Sequence, residues 1–142
     1  MQLRKIDDSI SVSPQITPED LAAIEAAGFV AVVNNRPDDE QEGQPAGDAI
    51  RAAAQDAGLA YTAIPVGSGF SHAQVQAMVD VLEGAKGPVL AFCRSGTRSC
   101  NLWALARARM GDSPDELIAM GAGAGYDLAG LRPLLDQLSA QA

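Results

Sequence analysis

The sequence predicts an α/β fold, a single domain with a short and mostly parallel central sheet flanked by helices. Short apolar runs alternate with stretches of helical spacing along the whole chain. One run, residues 29–33, is apolar on both faces, as an interior strand covered by helices must be. The 142 residues are 47% hydrophobic, enough for one compact domain with a core, and no repeat or linker divides them.

In chain order, residues 9–12 form a short strand. Thr17-Pro18-Glu19-Asp20 then opens a helix, with Thr as cap, Pro at the first helical position and acids against the helix dipole. Leu21 and Ile24 mark its buried face, and Gly28 stops it before strand 29–33. A long polar loop covers residues 34–45, and a helix follows over 46–57, ended by Gly58. Residues 61–66 form the next strand. Ser71-His72-Ala73-Gln74 is a capping box, and Val75, Met78, Val79 and Leu82 follow at helical spacing until Gly84 and Gly87. The last strand is 88–92, and a helix runs from about Ser99 to Met110. Ser113-Pro114-Asp115-Glu116 caps another helix, and residues 128–138 supply the final one.

Charge narrows the function. Ten basic residues stand against eighteen acidic, for a net charge of −8. Nucleic acid and membrane surfaces are therefore not expected partners, and any anion site must be local. Six aromatic residues are too few to stack a single strand. Residues 1–8 carry acids where a signal peptide needs an apolar run, and no window is long enough for a membrane span, so a cytoplasmic location is expected. Two cysteines make no disulfide scaffold, and the single histidine, His72, belongs to a capping pattern and cannot build a metal site alone. No metal or organic cofactor is expected.

The chemistry lies in residues 93–99. An apolar strand, Cys93 at its carboxyl end, a tight loop with central Gly96, then Arg98 and a helix make an anion cradle around a thiol. The amides of Arg94, Ser95, Gly96 and Thr97 can curl inward as a nest, the helix N-terminus adds positive charge, and Arg98 closes the ring. The same field favours Cys93 as a thiolate, and Ser99 is placed to donate a further hydrogen bond. Cys93 is the expected nucleophile, with Arg98 and Ser99 beside it. Four of the ten basic residues, Arg94, Arg98, Arg107 and Arg109, fall in this stretch of an otherwise acidic chain.

Cys93-Arg94-Ser95-Gly96-Thr97-Arg98-Ser99 resembles the active-site loop of rhodanese-type sulfurtransferases, in which a cysteine carries sulfane sulfur as a persulfide. The order Ile64-Pro65-Val66, helix, Val89-Leu90-Ala91-Phe92-Cys93 is similar to dual-specificity protein phosphatases. With Asn34-Asn35-Arg36-Pro37-Asp38-Asp39-Glu40, Gly43-Gln44-Pro45 and Gly125-Tyr126-Asp127-Leu128, nearly the whole chain resembles the bacterial beta-lactamase-hydrolase-like, phosphatase-like domain family. That resemblance implies a cysteine-phosphatase fold and either phosphatase-like or sulfurtransferase activity.

Three departures from the phosphatase pattern favour sulfur. Arg98 follows Cys93 after four residues where phosphatases have five, Phe92 stands where their histidine precedes the cysteine, and Gly67-Ser68-Gly69 stands where their acid should be. A missing proton donor is costly for phosphate esters and tolerable for sulfur transfer, whose leaving group is good. The main reading is thus a sulfurtransferase passing sulfane sulfur from a small-molecule or protein donor to a nucleophilic acceptor. The alternatives are a phosphate-monoester hydrolase working through phosphocysteine and a non-catalytic anion-binding module. For the phosphatase, Asp38, Asp39 or Glu42 supplies the acid from the polar loop, Asp38 standing among the catalytic candidates, and Arg36 binds an anionic substrate or holds a carboxylate. Arg94 can meet an anionic acceptor. Cys100 reads as a packing cysteine, and Tyr126 as a core or turn tyrosine with one bonded hydroxyl.

Overall fold

Each of the five strands is four residues long, and the alternation of their side chains assigns each helix to a side of the sheet. In the computed structural model, which describes residues 1–142, the elements are β1 (Arg4–Asp7), β2 (Ile10–Ser13), a 3₁₀ turn (Pro18–Asp20) leading into α1 (Leu21–Ala26), β3 (Ala31–Asn34), α2 (Gly47–Asp56), β4 (Ala60–Ala63), α3 (His72–Gly84), β5 (Val89–Phe92), α4 (Thr97–Arg109), α5 (Pro114–Gly123), a second 3₁₀ turn (Ala129–Leu131) and α6 (Arg132–Ala140). The strand order is β1-β2-β5-β3-β4. All neighbours are parallel except the edge pair β1–β2. The mostly parallel sheet is therefore the one the sequence predicts, with the interior strand β3 covering residues 31–34 where 29–33 were expected.

Side chains alternate across a strand, so β5 serves two cores. Leu90 and Phe92 join Val32, Ile16, Leu21, Ile24, Ile50 and Ala54 under α1 and α2. Val89 and Ala91 face the larger cluster, with Val12, Val33, Met78, Leu102, Trp103, Leu117 and Leu135 under α3 to α6. Helix α4 is buried along most of its length and carries eight buried residues.

Three local expectations need correction. Strand β1 lies in residues the sequence reading left without structure, because its Arg-Lys-Ile-Asp is largely exposed and polar, as an edge strand tolerates. Helix α4 starts at Thr97 rather than Ser99, which brings Arg98 and Ser99 into its first turn. The strand expected over 61–66 ends at Ala63, although Ile64 and Val66 still donate to the carbonyls of Asn34 and Asn35. The capping box on α3 forms as expected: Ser71 Oγ accepts from the Gln74 amide at 3.1 Å, and the Gln74 side chain accepts from the Ser71 amide at 2.8 Å. No helix is long and apolar enough to cross a membrane.

The register places Ser13, Phe92, Asn34 and Ala63 side by side at the carboxyl end of the sheet. The loops leaving β2, β3, β4 and β5 consequently meet at one edge, where ligand sites of parallel sheets gather.

Candidate active site

Cys93 follows the last residue of β5 and is fully buried. The chain turns at once: Gly96 adopts φ +90 and caps α4. A side chain is disfavoured there for two reasons, the left-handed backbone and the Tyr126 hydroxyl, which occupies the place of a β-carbon. The turn aims the Gly96 N–H at Cys93 Sγ, 3.1 Å away. Ser95 Oγ and Thr97 Oγ1 are 3.0 Å apart and stitch the exposed rim of the loop. The amides of Arg94, Ser95, Arg98 and Ser99 have no hydrogen-bond partner in the chain. Unpaired amides in a loop entering a helix are the donors an anion cradle requires.

Arg98 reaches across to the loop after β3. Its guanidinium donates to both carboxylate oxygens of Glu40, at 2.6 and 2.9 Å, and to the Val66 carbonyl at 2.7 Å. Arg36, with its side chain 3% exposed, donates from Nε to the same carboxylate at 2.9 Å. Its other nitrogens are taken by Gln15 and Gln41. The two guanidiniums, that of Arg98 above all, hold the Glu40 carboxyl down at about 2, against the opposing effect of burial. Glu40 is thus ionised at neutral pH. Its carboxylate raises the already high pKa of Arg98 further.

Glu40 is the acid that the structure joins to Arg98, and the sequence reading passed over it; that reading weighed Asp38, Asp39 and Glu42 around it. Nothing local distinguishes Glu40 from them, and the deciding fact is the Asp39 backbone at φ +60, with Gln44 accepting from the Glu40 amide at 3.1 Å and bonding the Pro37 carbonyl. Asp38 is turned toward α2. Its Oδ1 accepts from the Gly47 amide at 2.8 Å at the start of α2, and it lines a separate polar hollow with Asn34, Arg51 and Tyr61. Asp39 and Glu42 are exposed.

Of three further candidates, Arg36 takes the second of its two expected roles, Arg94 faces outward as expected, and Ser99 departs from expectation. Arg36 spends its nitrogens on protein partners, so it holds a carboxylate rather than contacting an outside anion. Ser99 is fully buried, and its Oγ has no partner, so the thiol's hydrogen bond comes from Gly96 instead. Arg94 is exposed, with only its carbonyl engaged, by the Gln15 amide at 3.4 Å. Arg98 lies beside Cys93. Cys100 is fully buried, and burial, with the neighbouring Cys93 adding to it, pushes its thiol up to about 12. Phe92 is buried among apolar side chains under α1 and α2, and gives the cysteine no polar support.

The match to known proteins follows the same segments. The family model described as beta-lactamase hydrolase-like protein, phosphatase-like domain, matches residues 2–110 and ends before α5. A beta-lactamase hydrolase-like protein of Xylella fastidiosa is 36% identical over 130 residues, covering 90% of this chain and 30% of that protein. The chain spans about a third of the length of the curated relatives it matches. Among solved structures, a Neisseria meningitidis protein provisionally named a phosphatase has a TM-score of 0.83 at 34% identity, covering 97% of this chain and 99% of that one. Pseudomonas aeruginosa TpbA in complex with phosphotyrosine has a TM-score of 0.64 at 21% identity, covering 98% and 89%, a likeness of fold alone.

Proposed function

Because the chain belongs to the beta-lactamase hydrolase-like protein, phosphatase-like domain family, we propose that it is a cysteine-nucleophile hydrolase of phosphate monoesters, with phosphocysteine formed on Cys93. One observation carries this reading: beside the buried thiol, which already accepts from the Gly96 amide and neighbours Arg98, the loop keeps four further amides unpartnered, more donors than a single sulfur atom can use and a number suited to the oxygens of a phosphoryl group. The resemblance in fold to a protein that holds phosphotyrosine supports the same substrate class.

In this reading Cys93 Sγ attacks phosphorus in line, and the P–O ester bond breaks with its electron pair on the departing oxygen. Water then attacks the phosphocysteine, releasing inorganic phosphate and restoring the thiol. The loop amides and Arg98 stabilise the transferring group. Glu40, ionised and shared by two arginines, orients Arg98 rather than supplying a proton. With no protonated acid at the mouth, substrates that leave as stabilised aryl oxides are favoured over alkyl esters.

Sulfur transfer is a second reading, supported by the four-residue spacing from Cys93 to Arg98, by the apolar seat of Phe92 and by the ionised state of Glu40. There the Cys93 thiolate attacks a sulfane sulfur, the donor leaves as sulfite or a thiolate, and an acceptor thiolate takes the outer sulfur from the persulfide. The comparisons support the phosphate reading over this one.

A paired assay separates the two. Reduced protein and Cys93→Ser are given p-nitrophenyl phosphate with and without vanadate, and separately thiosulfate followed by intact-mass measurement. Cys93-dependent, vanadate-sensitive turnover is expected. Absence of turnover together with a one-sulfur adduct that cyanide discharges overturns the phosphate reading in favour of sulfur.

A further inference from the structure

One peptide unit of the anion loop is gripped at both ends. The Tyr126 hydroxyl donates to the Ser95 carbonyl at 3.1 Å, and the Gly96 N–H donates to Cys93 Sγ at 3.1 Å. These two groups belong to the same planar unit, and in a trans peptide the C=O and N–H point in opposite directions. Turning the carbonyl toward Tyr126 therefore turns the amide toward the sulfur. We propose that Tyr126 is a positioning residue of the site, acting through the Ser95–Gly96 peptide to hold and polarise the amide that stabilises charge on Cys93.

Three independent features support this assignment. Gly96 has no β-carbon in the place where the Tyr126 hydroxyl sits, so loop and tyrosine are shaped to each other. Tyr126 is itself fixed: the Arg4 guanidinium lies 5.7 Å from its ring centroid and donates to the Ala124 carbonyl at 3.3 Å, binding the start of the chain to the turn before Tyr126. Burial raises the Tyr126 pKa, so the hydroxyl keeps its proton and stays a donor. Hydrogen bonds in series polarise one another, so Tyr126 strengthens the bond to sulfur as well as aiming it.

The inference rests on Cys93 being the nucleophile, and it holds whether the cargo is phosphorus or sulfur. Its test is the pH dependence of Cys93 alkylation by iodoacetamide, with the adduct located by peptide mass. In Tyr126→Phe, which keeps the ring, the profile shifts to higher pH, and alkylation at neutral pH slows roughly three- to tenfold, while the plateau rate at high pH is unchanged. Replacing Tyr126 by 3-fluorotyrosine, a stronger donor of nearly the same size, shifts the profile to lower pH and keeps the test available should Tyr126→Phe fold poorly. Opposite shifts for the two variants support the assignment. A profile that moves in neither variant overturns it, even where both fold. If wild-type Cys93 is alkylated at no pH and Cys93→Ser turns over p-nitrophenyl phosphate as wild type does, the nucleophile reading itself fails, a result distinct from an unmoved profile.

Discussion

Two loops meet at Cys93 and are held by different means. Residues 93–99 are fixed through the backbone: a left-handed glycine, a helix start and a peptide gripped between Tyr126 and the sulfur. Residues 35–44 are fixed through side chains: Glu40 between two arginines, Gln44 bonded to the Pro37 carbonyl and Asp38 on the Gly47 amide. A backbone-built site survives most substitutions at its exposed side chains and fails when the chain path is altered. A side-chain-built one comes apart one charge at a time, and it depends on pH.

The sharpest way to break the backbone-built loop is Gly96→Ala. The added methyl meets a left-handed backbone and the Tyr126 hydroxyl together, so the variant loses about 1 to 3 kcal/mol in urea melts. It also turns the Gly96 amide away from Cys93, and turnover in the assay above falls about 100-fold. Wild-type rates in this variant would show that the loop is more plastic than described.

The side-chain-built loop is probed by Glu40→Gln. At neutral pH the substitution removes a carboxylate bonded to two largely buried guanidiniums and costs roughly 1 to 3 kcal/mol. The sign of the pH dependence follows from the depressed carboxyl: its contribution is complete above its ordinary value near 4.5, and it is lost as the pH falls through about 2. The difference in melting temperature between wild type and Glu40→Gln should therefore be constant near neutrality and shrink in acid. A difference that grows on acidification contradicts the pairing.

The smallest effect is expected from Asp38→Ala, which removes the carboxylate on the Gly47 amide at the start of α2. It lowers stability by about 1 kcal/mol and leaves the Cys93-dependent rate unchanged. A drop in rate comparable to that of Gly96→Ala would return Asp38 to the reacting centre.

Much of the backbone-built region was legible. Strand, cysteine, glycine, arginine and helix follow one another within eight residues, and local spacing is enough to foresee a cradle there. The apolar run 29–33, which supplies the first three residues of β3, was equally readable, because an interior strand needs apolar residues on both faces. The choice among Asp38, Asp39, Glu40 and Glu42 was not readable, since all four are acids in one polar loop and only its path sends one of them toward Arg98. Edge strand β1 escaped notice for a related reason: an exposed, polar strand carries little hydrophobic pattern.

By itself the sequence determined the α/β order, the strands that enter the core and the tight turn from Cys93 into a helix. Each depends on contacts between residues close in sequence or on the periodicity of burial. The tertiary structure alone decided that Glu40 meets Arg98 across 58 positions, that Tyr126 meets Ser95 across 31, and that Asp38 meets neither Cys93 nor Arg98. Those pairings follow from strand order and from the packing of helices on the sheet, which bring distant segments to one edge and which local propensity does not encode.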